Sequence, residues 1–264
     1  MGATTTEPDV GEGRLAGMQP PALRADRPES HDSRQLIPWG VPDAVAVLAT
    51  WLVSQLVIGL AISLVGVRVG DPFTAAMLLS VTPLVLILLT VGWVAAVASR
   101  SGGSHRLFGR RRATWRDVLA GLNYGIAGSV VITFVVGGGL QLLFRYLGVE
   151  VPPVQEQLRE LATGPSAPVA AIAIVGLAPI GEELFFRGML FQSLQKPLRF
   201  WPAATISGIV FGLIHFEPLV TVVTAILGVY LAWIFQRRGT LLVPIIAHSI
   251  FNLLGLVLIR LGLG

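Results

Sequence analysis

Two adjacent glutamates, Glu182 and Glu183, lie in the middle of an apolar stretch of the sequence. Charged side chains at membrane depth cost roughly 2.5–3.5 kcal/mol or more each, so they are rare unless paired or functional. Arg187 follows Glu183 by four residues, so on a helix the two side chains share a face and can neutralise each other. Glu182 is rotated by about 100° around the same helix. We therefore expect Glu183 and Arg187 to form a supporting ion pair, whereas Glu182 is available for chemistry.

Three further polar residues lie in later apolar segments of the chain. His215 ends one such segment, and His248 lies inside the last one together with Asn252. The four-residue spacing of His248 and Asn252 places both on one helical face. A single intramembrane histidine is more often a packed core residue than a ligand of a metal or substrate. Two histidines on separate helices favour a functional site, because they are accompanied by Asn252 and by Glu182, the glutamate that is not paired with Arg187.

These residue types suit the activation of a water molecule. Glu182 can act as the general base, and His215 can hold the same water. His248 and Asn252 can donate hydrogen bonds to the developing oxyanion, a contribution of roughly 3–4 kcal/mol per donor in other enzymes. Alternatively, Glu182, His215 and His248 can ligate zinc, with water as the fourth ligand. The spacing leaves the metal-bound and metal-free versions both open.

The sequence argues against several other hydrolytic chemistries. It contains no cysteine, which excludes a cysteine nucleophile and a thiolate zinc site. Ser249 follows His248 directly, so the two side chains point about 100° apart on a helix. Neither a Gly-x-Ser-x-Gly turn nor the zinc-protease pattern His-Glu-x-x-His occurs in the chain.

The elements that must position these residues are membrane helices. Of the 264 residues, 53% are hydrophobic and 13% are charged, and the mean hydropathy is +0.74. Soluble domains have about a quarter of their residues charged, whereas a membrane-spanning helix needs roughly 20 apolar residues. The chain is predicted to be an all-α, polytopic helical membrane bundle with about seven transmembrane helices, because its apolar stretches do not alternate as spanning strands do. These stretches cover residues 44–67, 73–98, 118–144, 168–194, 201–215, 219–235 and 241–259.

The chain is predicted to divide into three parts. Residues 1–40 are rich in Pro, Gly, Ser and charged residues and are expected to form a disordered tail without a signal peptide. Residues 41–165 hold the N-terminal transmembrane helices and loops, and residues 166–264 hold the catalytic core. Basic loops after the second, fourth and sixth helices fall on one side of the bundle, which predicts that this side and the N-terminus are cytoplasmic. Residues 150–164 are expected to face outward, with a short interfacial helix.

Small residues recur where membrane helices can approach each other closely. We expect such contacts in the third helix at Gly121, Gly125 and Gly128, and in the fifth at Gly208 and Gly212.

The depth of His215 poses a geometric problem. In a simple seven-helix bundle Glu182 and His248 lie near the middle of the membrane, whereas His215 falls toward the outer end of a short helix. Convergence requires that helix to tilt or to sit deeper, or the loop at Glu217–Pro218 to re-enter the bundle. Glu217 itself is expected to mark a helix end, and the alternative is that it lines the polar cavity.

Taken in order along the chain, the polar motifs resemble those of a known family. Glu-Glu-x-x-x-Arg at 182–187, Phe-x-x-x-His at 211–215 and His-x-x-x-Asn at 248–252 are similar to the motifs of the CPBP family. This family includes the type II CAAX prenyl proteases and bacteriocin-processing and immunity-associated relatives. The resemblance covers roughly residues 169–258 and implies an intramembrane endopeptidase.

The resemblance also implies roles for individual residues. The family's first glutamate and two histidines correspond to Glu182, His215 and His248, and its oxyanion-side asparagine corresponds to Asn252. The family is usually called a metalloprotease, although a metal-free glutamate mechanism has also been proposed for it, so zinc is a conditional cofactor. The predicted catalytic site comprises Glu182, Glu183, Arg187, His215, His248 and Asn252.

The expected partners are a membrane-delivered peptide or protein substrate and the lipid bilayer, with no nucleic acid. The arginine-rich, lysine-poor composition favours a bacterial plasma membrane as the location. Two other functions compete with proteolysis. One is a non-enzymatic membrane scaffold or bacteriocin-immunity protein with the same fold, and the other is a transporter or proton pathway, since glutamate and histidine relays also occur in pumps.

Overall fold

A computed structural model describes residues 1–2, 37–66, 71–101, 107–149 and 155–263 of the chain. Within these ranges the chain is helical, and its β-type pairing is limited to an isolated bridge between Gly109 and Thr240. Most of the predicted N-terminal tail, residues 3–36, lies outside the described residues. The helices of the described part are α1 (Val41–Val65), α2 (Pro72–Ser101), α3 (Trp115–Tyr146), α4 (Gln155–Thr163), α5 (Ala167–Leu194), α6 (Phe200–Leu213), α7 (Pro218–Arg238) and α8 (Leu242–Arg260).

Six helices of the described chain are long and apolar enough to cross a membrane, namely all except α4 and α6. Helix α6 is apolar as well but has only 14 residues. Together these seven elements confirm the predicted polytopic helical bundle. Helix α4 lies between the third and fourth spans, where a short helix is predicted. The predicted boundary at residues 165 and 166 stays a prediction.

Burial identifies α5 as the central helix. Within its most apolar window 44% of the residues are buried inside the protein, compared with 11% for α1. Every residue from Leu184 to Phe191 is buried, and the aromatic rings in this segment belong to the main hydrophobic core. The Glu183–Arg187 pair of α5 is therefore enclosed by protein, whereas few of the α1 side chains are buried inside the bundle.

Helix α5 departs from regular α-helical geometry on both sides of its two glutamates. The segments Ile172–Leu177 and Leu184–Phe191 are π-helical, a rare geometry that is frequent at functional sites. The side-chain amide of Asn252 donates a hydrogen bond of 2.8 Å to the Ile174 carbonyl oxygen inside the first segment. Helix α8 is therefore attached to α5 about two turns before Glu182.

Side chains and glycines fix the ends of α7. The Glu217 carboxylate caps its first turn, accepting hydrogen bonds from the backbone N–H groups of Leu219 at 3.2 Å and Val220 at 2.6 Å. The prediction that Glu217 marks a helix end is confirmed. The helix ends at Gly239, whose φ of 68° is the left-handed conformation that glycine adopts without steric cost.

The glycines predicted to allow close helix contacts do so. A Cβ atom added at Gly212 would lie 2.4 Å from the Thr221 carbonyl oxygen of α7, and one added at Gly208 would lie 2.8 Å from the Ala225 carbonyl oxygen. In α3, a Cβ added at Gly121 would meet the Ile246 side chain of α8 at 2.7 Å. The pairs α6–α7 and α3–α8 therefore pack with their backbones in near contact.

The last residues of the predicted N-terminal tail, residues 37–40, pack against the bundle. Ile37 and Trp39 are buried in the main core. The Trp39 indole donates a hydrogen bond of 3.3 Å to the Met189 carbonyl oxygen of α5, and the Lys196 ammonium donates one of 2.6 Å to the Trp39 carbonyl oxygen. Residues 37–40 thus belong to the folded bundle, because these two large apolar side chains supply enough buried surface to order them.

Candidate functional site

The buried centre of the site is the carboxylate of Glu183. Its Oε1 atom accepts a hydrogen bond of 2.7 Å from Arg187 and lies 3.1 Å from Nδ1 of His248. Glu183 and Arg187 are fully buried, so the predicted pair forms in the interior of the bundle. The Arg187 guanidinium also donates a hydrogen bond of 2.9 Å to the Gly228 carbonyl oxygen of α7. This ion pair joins α5 to both α7 and α8.

Glu182 faces a different part of the site, as its rotation around α5 predicts. Its Oε2 atom lies 3.7 Å from Nε2 of His248, which is beyond ordinary hydrogen-bond distance. Its side chain is 19% exposed, whereas that of Glu183 is fully buried. Oε2 of Glu182 and Nε2 of His248 are therefore both available to bind another group, such as a water molecule. Glu182 is also the more accessible of the two glutamates.

The hydrogen bond between His248 and Glu183 fixes the chemistry of the imidazole. An ionised carboxylate only accepts hydrogen bonds, so Nδ1 of His248 carries a proton. The opposite nitrogen, Nε2, then faces Glu182. A neutral His248 presents a lone pair there, and a protonated His248 presents an N–H donor.

His215 reaches the site from just beyond the end of α6. Its Nδ1 lies 2.9 Å from the Phe211 carbonyl oxygen, which leaves Nε2 unprotonated in the neutral ring. The centroid of the Phe211 ring lies 5.2 Å from that of His215 and 5.6 Å from that of His248, so one phenyl ring contacts both imidazoles edge to face. The short helix α6 thus ends where His215 shares the Phe211 ring with His248.

The turn after His215 is strained. Phe216 has a φ of 57°, which is the left-handed region that a residue with a Cβ seldom adopts. This conformation directs the chain from His215 into the Glu217 cap of α7.

Asn252 lies farther along the same face of α8 as His248 and is held by α5. One N–H of its amide is taken by the Ile174 carbonyl oxygen. An amide nitrogen carries two N–H groups, so one remains for a ligand. The structure thus brings Glu182, Glu183, Arg187 and His248 into direct proximity. His215 joins them through the ring of Phe211, and Asn252 joins them through the backbone of α5.

The donor chemistry around the two histidines suits a metal, but the described side chains do not form a metal site. Both imidazoles give their Nδ1 proton to an oxygen acceptor, as metal-binding histidines commonly do. Nevertheless, among the described residues no three His, Asp or Glu side chains are grouped so that they could hold a metal ion. Zinc binding by Glu182, His215 and His248 therefore stays a prediction that needs these side chains to move.

Two contributors to the site are absent from the predicted set. Phe211 places its ring against both histidines, and the Arg187 guanidinium lies 4.7 Å from the centroid of the same ring. The spacing of Phe211 and His215 places both on one helical face, which was a usable signal. The contact with the Gly228 carbonyl oxygen could not be predicted, because every residue has a backbone carbonyl and the pattern of side chains does not distinguish one from another.

The fold and the site define an integral helical membrane protein with an enclosed glutamate–histidine centre. Residues 164–254 match the family described as Type II CAAX prenyl endopeptidase Rce1-like. The matched segment runs from the start of α5 into α8 and contains all six predicted site residues. The resemblance inferred from the polar motifs is thus confirmed over this segment of the chain.

Individual relatives agree with the family match. The chain is 29% identical over 131 residues to a protein of Bacillus subtilis (strain 168) named membrane peptidase YdiL, covering 49% of this chain and 52% of that protein. It is 28% identical over 99 residues to CAAX prenyl protease 2 of Homo sapiens, covering 30% of each chain. The chain thus spans about half the length of the first relative and less of the second. No solved structure shows significant similarity to it.

Proposed function

We propose that this protein is an intramembrane endopeptidase in which Glu182 activates the attacking water. The proposal rests on one observation, which is that the two glutamates differ in burial and in their partners. Glu183 is buried and bound by Arg187 and His248, whereas Glu182 is partly accessible and lies 3.7 Å from Nε2 of His248. A partly accessible carboxylate that is not taken up by the Glu183–Arg187 ion pair is suited to accept a proton from water.

The proposed reaction begins with a water molecule between Glu182 and the two histidines. Glu182 accepts a proton from this water, and Nε2 of His215 accepts a hydrogen bond from its remaining hydrogen. The water oxygen attacks the carbonyl carbon of the scissile peptide bond and forms a tetrahedral intermediate. Glu182 then gives its proton to the departing amine as the carbon–nitrogen bond breaks. Proton uptake and release by Glu182 therefore balance over one turnover.

The negative charge on the former carbonyl oxygen needs hydrogen-bond donors. In the proposal these are Nε2–H of protonated His248 and the second N–H of Asn252. Protonation of His248 balances the charges of the site, because two carboxylates then face one guanidinium and one imidazolium. Glu183 and Arg187 act as positioning residues, since Glu183 orients the His248 ring.

The proposed substrate is a peptide or protein delivered by the membrane. The chain is proposed to reside in a bacterial plasma membrane with its N-terminus and basic loops in the cytoplasm, as the arginine distribution predicts. CAAX specificity belongs to the named human relative, and prenylated substrates are one class to test here.

Zinc is the conditional part of the proposal. If it binds, Glu182, His215 and His248 would hold it, and the metal would supply Lewis-acid activation of water. Metal analysis of the purified protein, together with turnover before and after chelation, separates the two versions. One equivalent of zinc with chelator-sensitive turnover would establish the metal version. Full turnover of metal-free protein would establish Glu182 acting directly on water.

Hydrolysis itself is tested by following the oxygen of water. The purified protein, reconstituted in vesicles, is incubated with a membrane-embedded peptide in isotopically labelled water, and the products are analysed by mass spectrometry. We expect one labelled oxygen atom in the new C-terminal carboxylate, because water is the proposed nucleophile. Intact peptide across prenylated and unprenylated substrates, with the protein still folded, would favour the scaffold or immunity function instead. Peptide flux without cleavage would favour a transporter.

A further inference from the structure

A cavity of about 650 Å³ opens at the arginine-rich face of the bundle, and none of the six proposed site residues lines it. Its walls are residues 108–113, residues 240–242 and Ile245. It therefore lies between the loop that precedes α3 and the turn that joins α7 to α8. We call it the loop cavity.

The loop that lines this cavity is held in a defined shape. The backbone N–H groups of Arg110 and Arg111 donate hydrogen bonds of 2.8 Å and 3.2 Å to the Gly239 carbonyl oxygen. Gly109 has a φ of 122°, and a Cβ atom there would lie 2.5 Å from the same oxygen. Only glycine permits this approach of the two backbones. The cavity wall is thus a built feature rather than a loose loop.

A buried carboxylate holds two of the nearby arginines. Arg111 donates hydrogen bonds of 2.8 Å and 2.5 Å to the two carboxylate oxygens of Asp117, and Arg238 donates one of 2.9 Å to the same group. The hydrogen bonds to Asp117 raise the pKa of the Arg111 guanidinium above its ordinary value. These two arginines brace the cavity, and the only negative charge in its surroundings among residues 107–117 and 236–242 is already engaged.

The remaining charge around the cavity is strongly positive. Residues 107–117 and 236–242 contain six arginines and one acidic residue. The Arg112 side chain is exposed at the cavity wall and makes no hydrogen bond or ion pair with the part of the chain that the structure describes. This charge favours a ligand that carries negative charge.

Apolar groups beside these arginines indicate what kind of anion fits. Phe108 lines the cavity and is 64% exposed, and Trp115 at the start of α3 is 68% exposed. Leu242 and Ile245, in the first turn of the membrane helix α8, complete the wall. Exposed aromatic rings at the end of a membrane helix lie at the level of the lipid headgroups. A free inorganic anion would gain nothing from this apolar surface, whereas an acyl chain would.

We propose that the loop cavity binds the phosphate headgroup of an anionic phospholipid, with Arg112 contacting the phosphate and Phe108 and Ile245 contacting the acyl chains. Basic pockets at the ends of membrane helices, on the positively charged face, recognise lipids in this way. The site is separate from the glutamate–histidine centre and does not depend on its activity.

The test compares lipids on the full-length protein. Binding of phosphatidylglycerol and of phosphatidylcholine to the purified protein in detergent is measured by native mass spectrometry and by the shift of the thermal unfolding midpoint. Phosphatidylglycerol is expected to bind more tightly and to raise the midpoint. Arg112→Gln should weaken this binding by about fivefold, the loss expected for one arginine beside an anionic headgroup. Arg145→Gln, an equivalent change of an exposed arginine at the other end of α3, should leave it unchanged.

Each other outcome overturns the proposal. Equal binding of the two lipids would show that the cavity does not recognise negative charge. Equal losses in the Arg112 and Arg145 variants would show a diffuse surface effect. A midpoint shift with inorganic phosphate alone that matches the shift with phosphatidylglycerol would identify a free anion rather than a lipid as the ligand. The midpoint of the Arg112→Gln protein without added lipid checks that this variant is folded.

Discussion

The surroundings of single side chains separate the two neighbouring glutamates. Glu183 and Arg187 lie four residues apart on one helix, so their ion pair could be predicted from local geometry. The contact between Glu183 and His248 spans 65 positions of the chain. It depends on the rotation and depth of α8 against α5, which side-chain spacing within either helix does not encode. The ion pair of Glu183 with Arg187 was thus predictable, but the contact of Glu183 with His248 was not.

Removal of the Arg187 charge tests the supporting pair. Arg187→Met leaves the fully buried Glu183 without its closest cation, so we expect the free energy of unfolding to fall by about 3–5 kcal/mol. Denaturant titration in detergent micelles measures the change.

The double variant Glu183→Gln/Arg187→Met is the control for lost packing. It removes both charges, so it should recover most of the stability that the single variant loses. A single variant as stable as the unmodified protein would show that the ion pair does not support the bundle.

At the scale of helices, the length of the apolar stretches and the spacing of the glycines predicted most of the helices and their close contacts. Seven apolar elements and the close contacts of Gly208, Gly212 and Gly121 follow from these patterns. The two π-helical segments of α5 do not follow from these patterns. Their wider hydrogen bonding depends on the neighbouring groups that contact the backbone there. The Asn252 amide donates its hydrogen bond to Ile174 within the first of these segments.

A single methyl group tests the packing of α6 on α7. At Gly212 an added Cβ would lie 2.4 Å from the Thr221 carbonyl oxygen, so Gly212→Ala must push the helices apart. We expect a loss of about 1–3 kcal/mol in the free energy of unfolding. Gly59→Ala in α1 is the matched control, because nothing lies within 4 Å of its added Cβ. Equal stability of the two variants would argue against this close contact.

In the part of the chain that the structure describes, one group of charged residues is enclosed around α5, and apolar side chains are exposed on the outer helices. This division follows from composition, because a chain with 53% hydrophobic and 13% charged residues can satisfy its charges only in the interior or at the membrane faces. Its charges occupy both places. Glu182, Glu183 and Arg187 lie within the bundle, whereas the arginines around Asp117 gather at one face. The family match over residues 164–254 covers the interior group and excludes residues 108–113 of the loop cavity.

The most direct test of the central claim is the turnover of Glu182→Gln on a membrane-delivered peptide. The amide keeps the size of the side chain but cannot accept the proton of water, so turnover should fall by about 10²–10⁴-fold while the unfolding midpoint stays close to that of the unmodified protein. Glu160→Gln on α4, the same substitution at an exposed position, should retain full turnover. Unchanged turnover of folded Glu182→Gln would contradict the assignment of Glu182 as the base.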